Sequence, residues 1–151
     1  MKQKKIDQIG ELLKIMSTHN TLRSNAIAEK LGINTTDLEC LEVLMRLGKT
    51  TAGTLSKETR LTTGAVTKLV DRLEKAGFAE RMFDKADRRK VFIVLNMDNI
   101  AEKVFPLYQS ISAEVEKLLL KYTSEQLTVI SDFLSESIRL SSEDLSKLAD
   151  N

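Results

Sequence analysis

The chain has 151 residues, enough for one domain or for one domain with an oligomerisation extension. It is 42% hydrophobic and 30% charged, which suits a folded chain rather than a disordered one, and no stretch approaches the roughly 18 consecutive apolar residues of a membrane span. The single cysteine excludes an intrachain disulfide and the start MKQKKIDQIG lacks the apolar run of a signal peptide, so a cytoplasmic protein without membrane contact is expected.

Glycine is sparse and there is one proline, which predicts long helices. Ile6, Ile9, Leu13 and Met16, then Ile27 and Leu31, recur at helical spacing and predict a first helix from about Lys4 to Leu31, stopped by Gly32. Thr36-Asp37-Leu38-Glu39 reads as a capping box opening a second helix, Leu38 to Leu47. Its apolar stripe is Leu38, Leu41, Leu44 and Met45, and Gly48 ends it. Thr51 to Thr59 reads as a short third helix with Leu55 turned inward, and Leu61 closes a tight turn.

The fourth helix, Thr62 to Ala76, carries the first functional signal. Val66, Leu69, Val70 and Leu73 fall at i, i+3, i+4 and i+7 and form its inward face. Thr62 suits the N-cap, since its side-chain oxygen can accept from an early amide. Thr63, Gly64, Thr67 and Lys68 then face outward near the N-terminus, the part of a helix-turn-helix reading helix that approaches base edges. Gly64 allows close approach, the threonines offer hydroxyls and methyls, and Lys68 suits a phosphate. Arg72 belongs to the same DNA-facing set. Gly77 is a natural left-handed stop.

Phe78 to Phe83 and Lys90 to Leu95 can pair as a hairpin whose loop holds Asp84, Lys85, Ala86, Asp87, Arg88 and Arg89. A helix of this kind matches the major groove, and a basic tip can enter the minor groove. Charge follows the same division. Residues 49–90 hold eleven basic and six acidic residues, a local net of +5, whereas residues 91–151 hold five basic and ten acidic, a net of −5. Phosphate contacts dominate non-specific DNA affinity, so the middle segment is the expected docking surface.

Beyond the hairpin, Ile100 to about Tyr122 is a helical pattern in which Pro106 predicts a kink. Thr123-Ser124-Glu125-Gln126 is a second capping box, opening a helix with Leu127, Ile130, Phe133, Leu134 and Ile138 on one face. Ser141 to Asp144 reads as the cap of a short final turn with Leu145 and Leu148. Long terminal helices with apolar stripes imply association. The expected fold is mainly α with a small β-hairpin wing: a winged helix-turn-helix domain at 35–96, flanked by dimerisation helices at 1–34 and 97–151.

VTKLVDRLEKAGFAER followed by DKADRRKVFIVL resembles the MarR family of bacterial transcriptional regulators. Asp71-Arg72-Leu73-Glu74-Lys75-Ala76-Gly77 supplies the family's D-R-L-E-x-x-G run, and Asp87-Arg88-Arg89 supplies its wing D-x-R. The resemblance extends over nearly the whole chain. It implies a homodimer bound to double-stranded DNA, a pseudopalindromic operator, and a repressor released by a small-molecule effector. It further implies that Arg89 enters the minor groove, that Asp87 shapes the loop, that Asp71 holds a wing arginine, and that Arg88 and Lys85 contact phosphate. Arg60 departs from the glycine that relatives commonly carry at the helix-turn-helix bend.

No enzyme is expected: there is no Gly-rich phosphate loop, His/Cys ligand cluster or nucleophile elbow, and so no cofactor or metal. The effector is not identified by the sequence, with His19 and Cys40 as the candidates for a ligand pocket. Cys40 lies beside an apolar stripe with no basic sequence neighbour to lower its pKa, which favours a structural thiol over an oxidant sensor. The alternatives are a winged-helix protein-interaction module and a cysteine-based redox-sensing regulator.

Overall fold

A computed structural model describes residues 1–87 and 89–149. The chain divides into two compact units, one ending at Leu107 and a second beginning at Tyr108. In the first unit, α1 (Lys2–Leu31) ends on Gly32 in the left-handed region, φ 66°. Only its C-terminal end joins the core, through Ile27 and Ala28; Ile6, Ile9, Leu12 and Met16 stay about half exposed.

The second helix, α2 (Thr35–Leu47), is capped by Asn34, whose side chain accepts from the Asp37 amide. The expected Thr36–Glu39 box is therefore not the cap. Asn34 stands one residue before the first helical residue, where an extended backbone lets its short side chain turn back onto the early amides, and Thr36 is already inside the helix. Leu38, Leu41 and Leu44 are fully buried.

A short strand that the sequence pattern did not reveal, β1 (Thr50–Thr51), leads into α3 (Ala52–Thr59). Two residues carry no period of their own, so only pairing with a distant strand makes them β. Thr51 caps α3 by accepting from the Thr54 amide. After α4 (Thr63–Lys75) come β2 (Ala79–Phe83) and β3 (Val91–Leu95), antiparallel in the order β1-β3-β2. The hairpin register runs from Ala79 opposite Leu95 to Phe83 opposite Val91, while Thr50 faces Ile93. The buried core of this unit includes Leu55, Leu69, Leu73, Phe78, Ile93, Ile100 and Val104.

Asn96 caps the single turn α5 (Met97–Asn99), which passes into a π-helical turn at Ile100–Val104. Pro106 lacks an N–H, and in a regular α-helix its ring would crowd the carbonyl of Glu102. Where the sequence predicted a kink, the structure places this widened turn just before it, with the Phe105 amide donating to Ile100 O. α6 (Phe105–Leu119) continues into the second unit.

In that unit, Thr123 and Gln126 form the reciprocal box read from the sequence. The Thr123 amide donates to Gln126 Oε1 at 2.9 Å, and the Gln126 amide donates to Thr123 Oγ1 at 3.3 Å. The helix it opens, α7 (Ser124–Ala149), runs through Ser141–Asp144 without a break. The expected separate final turn is thus absent among the described residues. Because the helix is continuous, the amides after Ser141 bond to carbonyls of the preceding turn and need no cap, while Arg139 pairs with Glu136 and Glu143 along one face. No helix among the described residues is long and apolar enough to cross a membrane.

Candidate nucleic-acid interface

The turn into α4 is made by Arg60, the one non-glycine residue among those described with positive φ (57°). The left-handed bend is therefore kept without glycine, at a cost of about 1–2 kcal/mol. Ser56 donates to the Leu61 carbonyl at 2.6 Å and fixes the chain just beyond it. Thr62 then caps α4 by accepting from the Ala65 amide at 3.2 Å. Val66, Leu69, Val70 and Leu73 are each at most 1% exposed. Burying each contributes about 1.5–3 kcal/mol, which holds the helix against the core and turns the opposite side out.

On that outer side Thr62, Thr63, Gly64, Thr67 and Lys68 are all exposed. A Cβ at Gly64 would meet nothing within 4 Å, so the chain's own packing does not require glycine there. The Thr67 hydroxyl donates to the Thr63 carbonyl at 3.0 Å, leaving its lone pairs and methyl to face solvent.

The end of α4 is a Schellman motif. Gly77 (φ 79°) donates to Glu74 O, and Phe78 donates to Leu73 O, both at 2.9 Å. This hands the chain directly into β2. At the far end of the hairpin, Asp84 Oδ1 accepts from the amides of Ala86 and Asp87 at 2.8 and 3.0 Å. Those two amides, Asp87 first, hold the Asp84 carboxyl below its ordinary value, helped by Lys49 and Lys90 against a smaller opposing effect of burial.

Asp84 is thus the loop's internal organiser, a role the sequence pattern did not single out. Its signal was an aspartate at the first position of a turn, where the side chain can cap amides two and three residues on. Asp87 in turn accepts from the Arg89 backbone at 3.1 Å and from Arg89 Nε at 3.3 Å. The Arg89 side chain is 93% exposed. Lys85 is also exposed, while Arg88 lies outside the described residues.

The flanks of α4 are tied in opposite directions. On the wing side, Arg81 of β2 bridges to Asp71 at 2.7 Å and to Glu74, and also donates to the Thr67 carbonyl. Asp71 therefore holds the strand arginine Arg81, and Arg89 is held by Asp87. On the other side, Arg72 forks onto Asp37 of α2: Nε lies 2.9 Å from Oδ2 and Nη2 lies 2.6 Å from Oδ1. Arg72, grouped by sequence with the DNA-facing residues, is committed to a carboxylate that is only 2% exposed. Hydrogen bonding to Asp37 raises the Arg72 pKa above its ordinary value. The sequence shows Asp37 as part of the Thr36–Glu39 box, but not its pairing with Arg72, which is 35 residues away.

The two ligand candidates share no environment. His19 is exposed on α1, whereas Cys40 is fully buried in α2. Burial, and then the nearby Asp37 charge, push the Cys40 thiol up to about 11. Among the described residues no group of three or more His, Cys, Asp or Glu could hold a metal ion.

An exposed helix face joined to a basic, Asp-braced hairpin defines a winged helix-turn-helix. Residues 33–91 match the MarR family model. The chain is 38% identical over 138 residues to YcgE of Bacillus subtilis, described as an uncharacterized HTH-type transcriptional regulator, covering 91% of this chain and 89% of that one. Solved structures share the fold. A MarR family protein from Bacillus stearothermophilus aligns with a TM-score of 0.67 at 21% identity, over 94% of this chain and 99% of its own. Streptococcus pneumoniae FabT, solved in complex with DNA, aligns with a TM-score of 0.66 at 23% identity, over 91% and 98%. The chain belongs to the MarR family: it is a DNA-binding transcriptional regulator and not an enzyme.

Proposed function

We propose that the protein is a homodimeric repressor that reads a pseudopalindromic operator and is released from it by a small-molecule effector. The observation that carries the reading is the joint exposure of Thr63, Gly64, Thr67 and Lys68 on α4 with Arg89 on the wing. Thr62, Thr63, Gly64 and Thr67 face base edges in the major groove, where an absent Cβ at 64 favours approach of the duplex. Lys68, Lys85 and Arg88 meet phosphates, and Arg89 enters the minor groove with Asp87 as its brace. FabT, of the same fold, was solved with DNA.

Dimerisation is supported by apolar side chains left in solvent on the terminal helices: Ile9 and Leu12 on α1, and Val129, Phe133 and Ile138 on α7. The segments 1–34 and 97–151 supply that interface, and 35–96 reads DNA. A twofold dimer places its two reading helices about one DNA turn apart. Effector release follows the family resemblance, with His19 and Cys40 as the ligand candidates. A redox mechanism is disfavoured by the raised pKa and full burial of Cys40.

Selection of bound fragments from the source genome, repeated with candidate effectors, tests the reading. A shared palindrome whose binding falls steeply with salt is expected. Weak, salt-insensitive binding with no shared sequence would instead mark a protein-interaction module. Sedimentation of the free protein reads the dimer directly.

A further inference from the structure

Helix α4 is held from both sides. At about 100° per residue, Thr67, Asp71 and Glu74 lie on one flank of the buried face and Arg72 on the other. The wing flank is tied by Arg81, and the remaining flank by the Arg72–Asp37 fork alone among the ion pairs of the described residues. Asp37 is itself immobilised. Its carboxylate accepts from Asn34 Nδ2 at 3.0 Å, and its amide donates to Asn34 Oδ1 at 2.8 Å. No buried side-chain polar atom among the described residues lacks a partner, so this network is complete as it stands.

A bidentate fork constrains direction as well as distance. A carboxylate 2% exposed cannot swing away from its guanidinium without stranding a buried charge. Arg72 stands near the C-terminal end of α4, nine residues after Thr63 and about 14 Å along the axis at about 1.5 Å per residue. A rigid helix transmits a roll at Arg72 undiminished to Thr63, Gly64 and Thr67.

We propose that Asp37 and Arg72 are a positioning pair that sets the roll of the reading helix, and that Arg72 serves DNA binding through Asp37 rather than by touching a phosphate. This role rests on the DNA-reading function proposed above. Asp37 is an anion and buried, so it gains nothing from a duplex directly. Any effect of changing it on sequence discrimination passes through α4.

The test uses the full chain and two duplexes: one recovered from random DNA by repeated selection on the wild type, and a scrambled duplex of equal composition. Affinity is followed over a salt series for Arg72→Ala, Arg72→Lys, Asp37→Asn and the double variant Asp37→Asn with Arg72→Gln. Each single variant is expected to lose about ten-fold on the selected duplex, with the scrambled duplex and the salt slope unchanged. Arg72→Lys is the sharpest, because a lysine keeps the charge a phosphate needs and loses the fork that Asp37 needs.

The double variant replaces the ion pair by a neutral amide pair and is expected to return to within about two-fold of wild type. Wild-type binding by Arg72→Lys, with equal loss on both duplexes and a slope lower by about one in Arg72→Ala, would make Arg72 a phosphate contact and overturn the proposal. If a single variant fails to fold by circular dichroism, a folded double variant that stays about ten-fold weak on the selected duplex alone overturns it equally. A wild-type selection that returns no shared sequence removes the DNA reading itself, and is seen before any variant is made.

Discussion

Arg81, on β2, reaches across to Asp71 on α4 with Nη2 2.7 Å from Oδ1, and its backbone amide donates to Glu74 Oε1 at 2.8 Å. One residue thus joins the wing to the reading helix through both main chain and side chain. The contact is partly solvated, Arg81 being 29% and Asp71 59% exposed, so its worth is moderate. Arg81→Ala should cost about 1 kcal/mol by denaturant titration. Amide exchange in β2 and β3 should speed up more than exchange in α2. Uniform acceleration across both would show that Arg81 does not act as a local tether.

Gly77→Ala should destabilise the domain by about 1–2 kcal/mol. The φ of 79° is unfavourable for a side chain, and an added Cβ would lie 2.9 Å from Asn99 Nδ2. That amide donates to the Gly77 carbonyl at 2.7 Å, so it cannot retreat without losing its bond. Thermal melts of Gly77→Ala against Gly53→Ala, where the nearest atom is a side-chain oxygen at 3.9 Å, isolate the effect.

Arg89→Ala should leave the melting temperature unchanged, because the side chain is 93% exposed and its ion-pair partner among the described residues is Asp87 on the same loop. Its affinity for the selected duplex should fall by roughly 1–3 kcal/mol. Anisotropy titrations that find wild-type affinity would take the minor-groove role away from Arg89.

The wing loop should open in acid. The folded Asp84 carboxyl sits below its ordinary 3.8, so the order it provides is fully present above pH 3.8 and is lost as pH falls through the lower folded value. Amide resonances of Ala86 and Asp87 should report this in an NMR titration. In Asp84→Asn the transition should vanish.

Cys40, pushed up to about 11 from 9.0, should resist thiol reagents at neutral pH in the folded protein and react once unfolded. Stability is unaffected by this thiol below 9.0 and declines between 9.0 and about 11, where only the unfolded thiol ionises. Rapid modification of the native protein would reopen the redox reading.

Much of this was written locally in the chain. Val66, Leu69, Val70 and Leu73 share a face because of helical period, and Gly77 stops α4 because it tolerates the left-handed region; both follow from neighbours within a few residues. The Thr123–Gln126 box is legible for the same reason, as its two bonds span three positions. The outward positions Thr63, Gly64, Thr67 and Lys68 follow from the inward ones.

Tertiary structure decided what depends on distant partners. β1 is a strand only because Thr50 and Thr51 lie opposite Ile93 and Phe92. Cap choice at α2 fell to Asn34, which the backbone geometry one residue before the helix selects over Thr36. Arg72 looks like its basic neighbours in sequence, yet a buried carboxylate on another helix claims it, since an unpaired charge at Asp37 would be far costlier than a solvated one at Arg72. The sequence by itself determined which face of α4 is left exposed; only the packing of α2 and the wing against its flanks decided how that face is held.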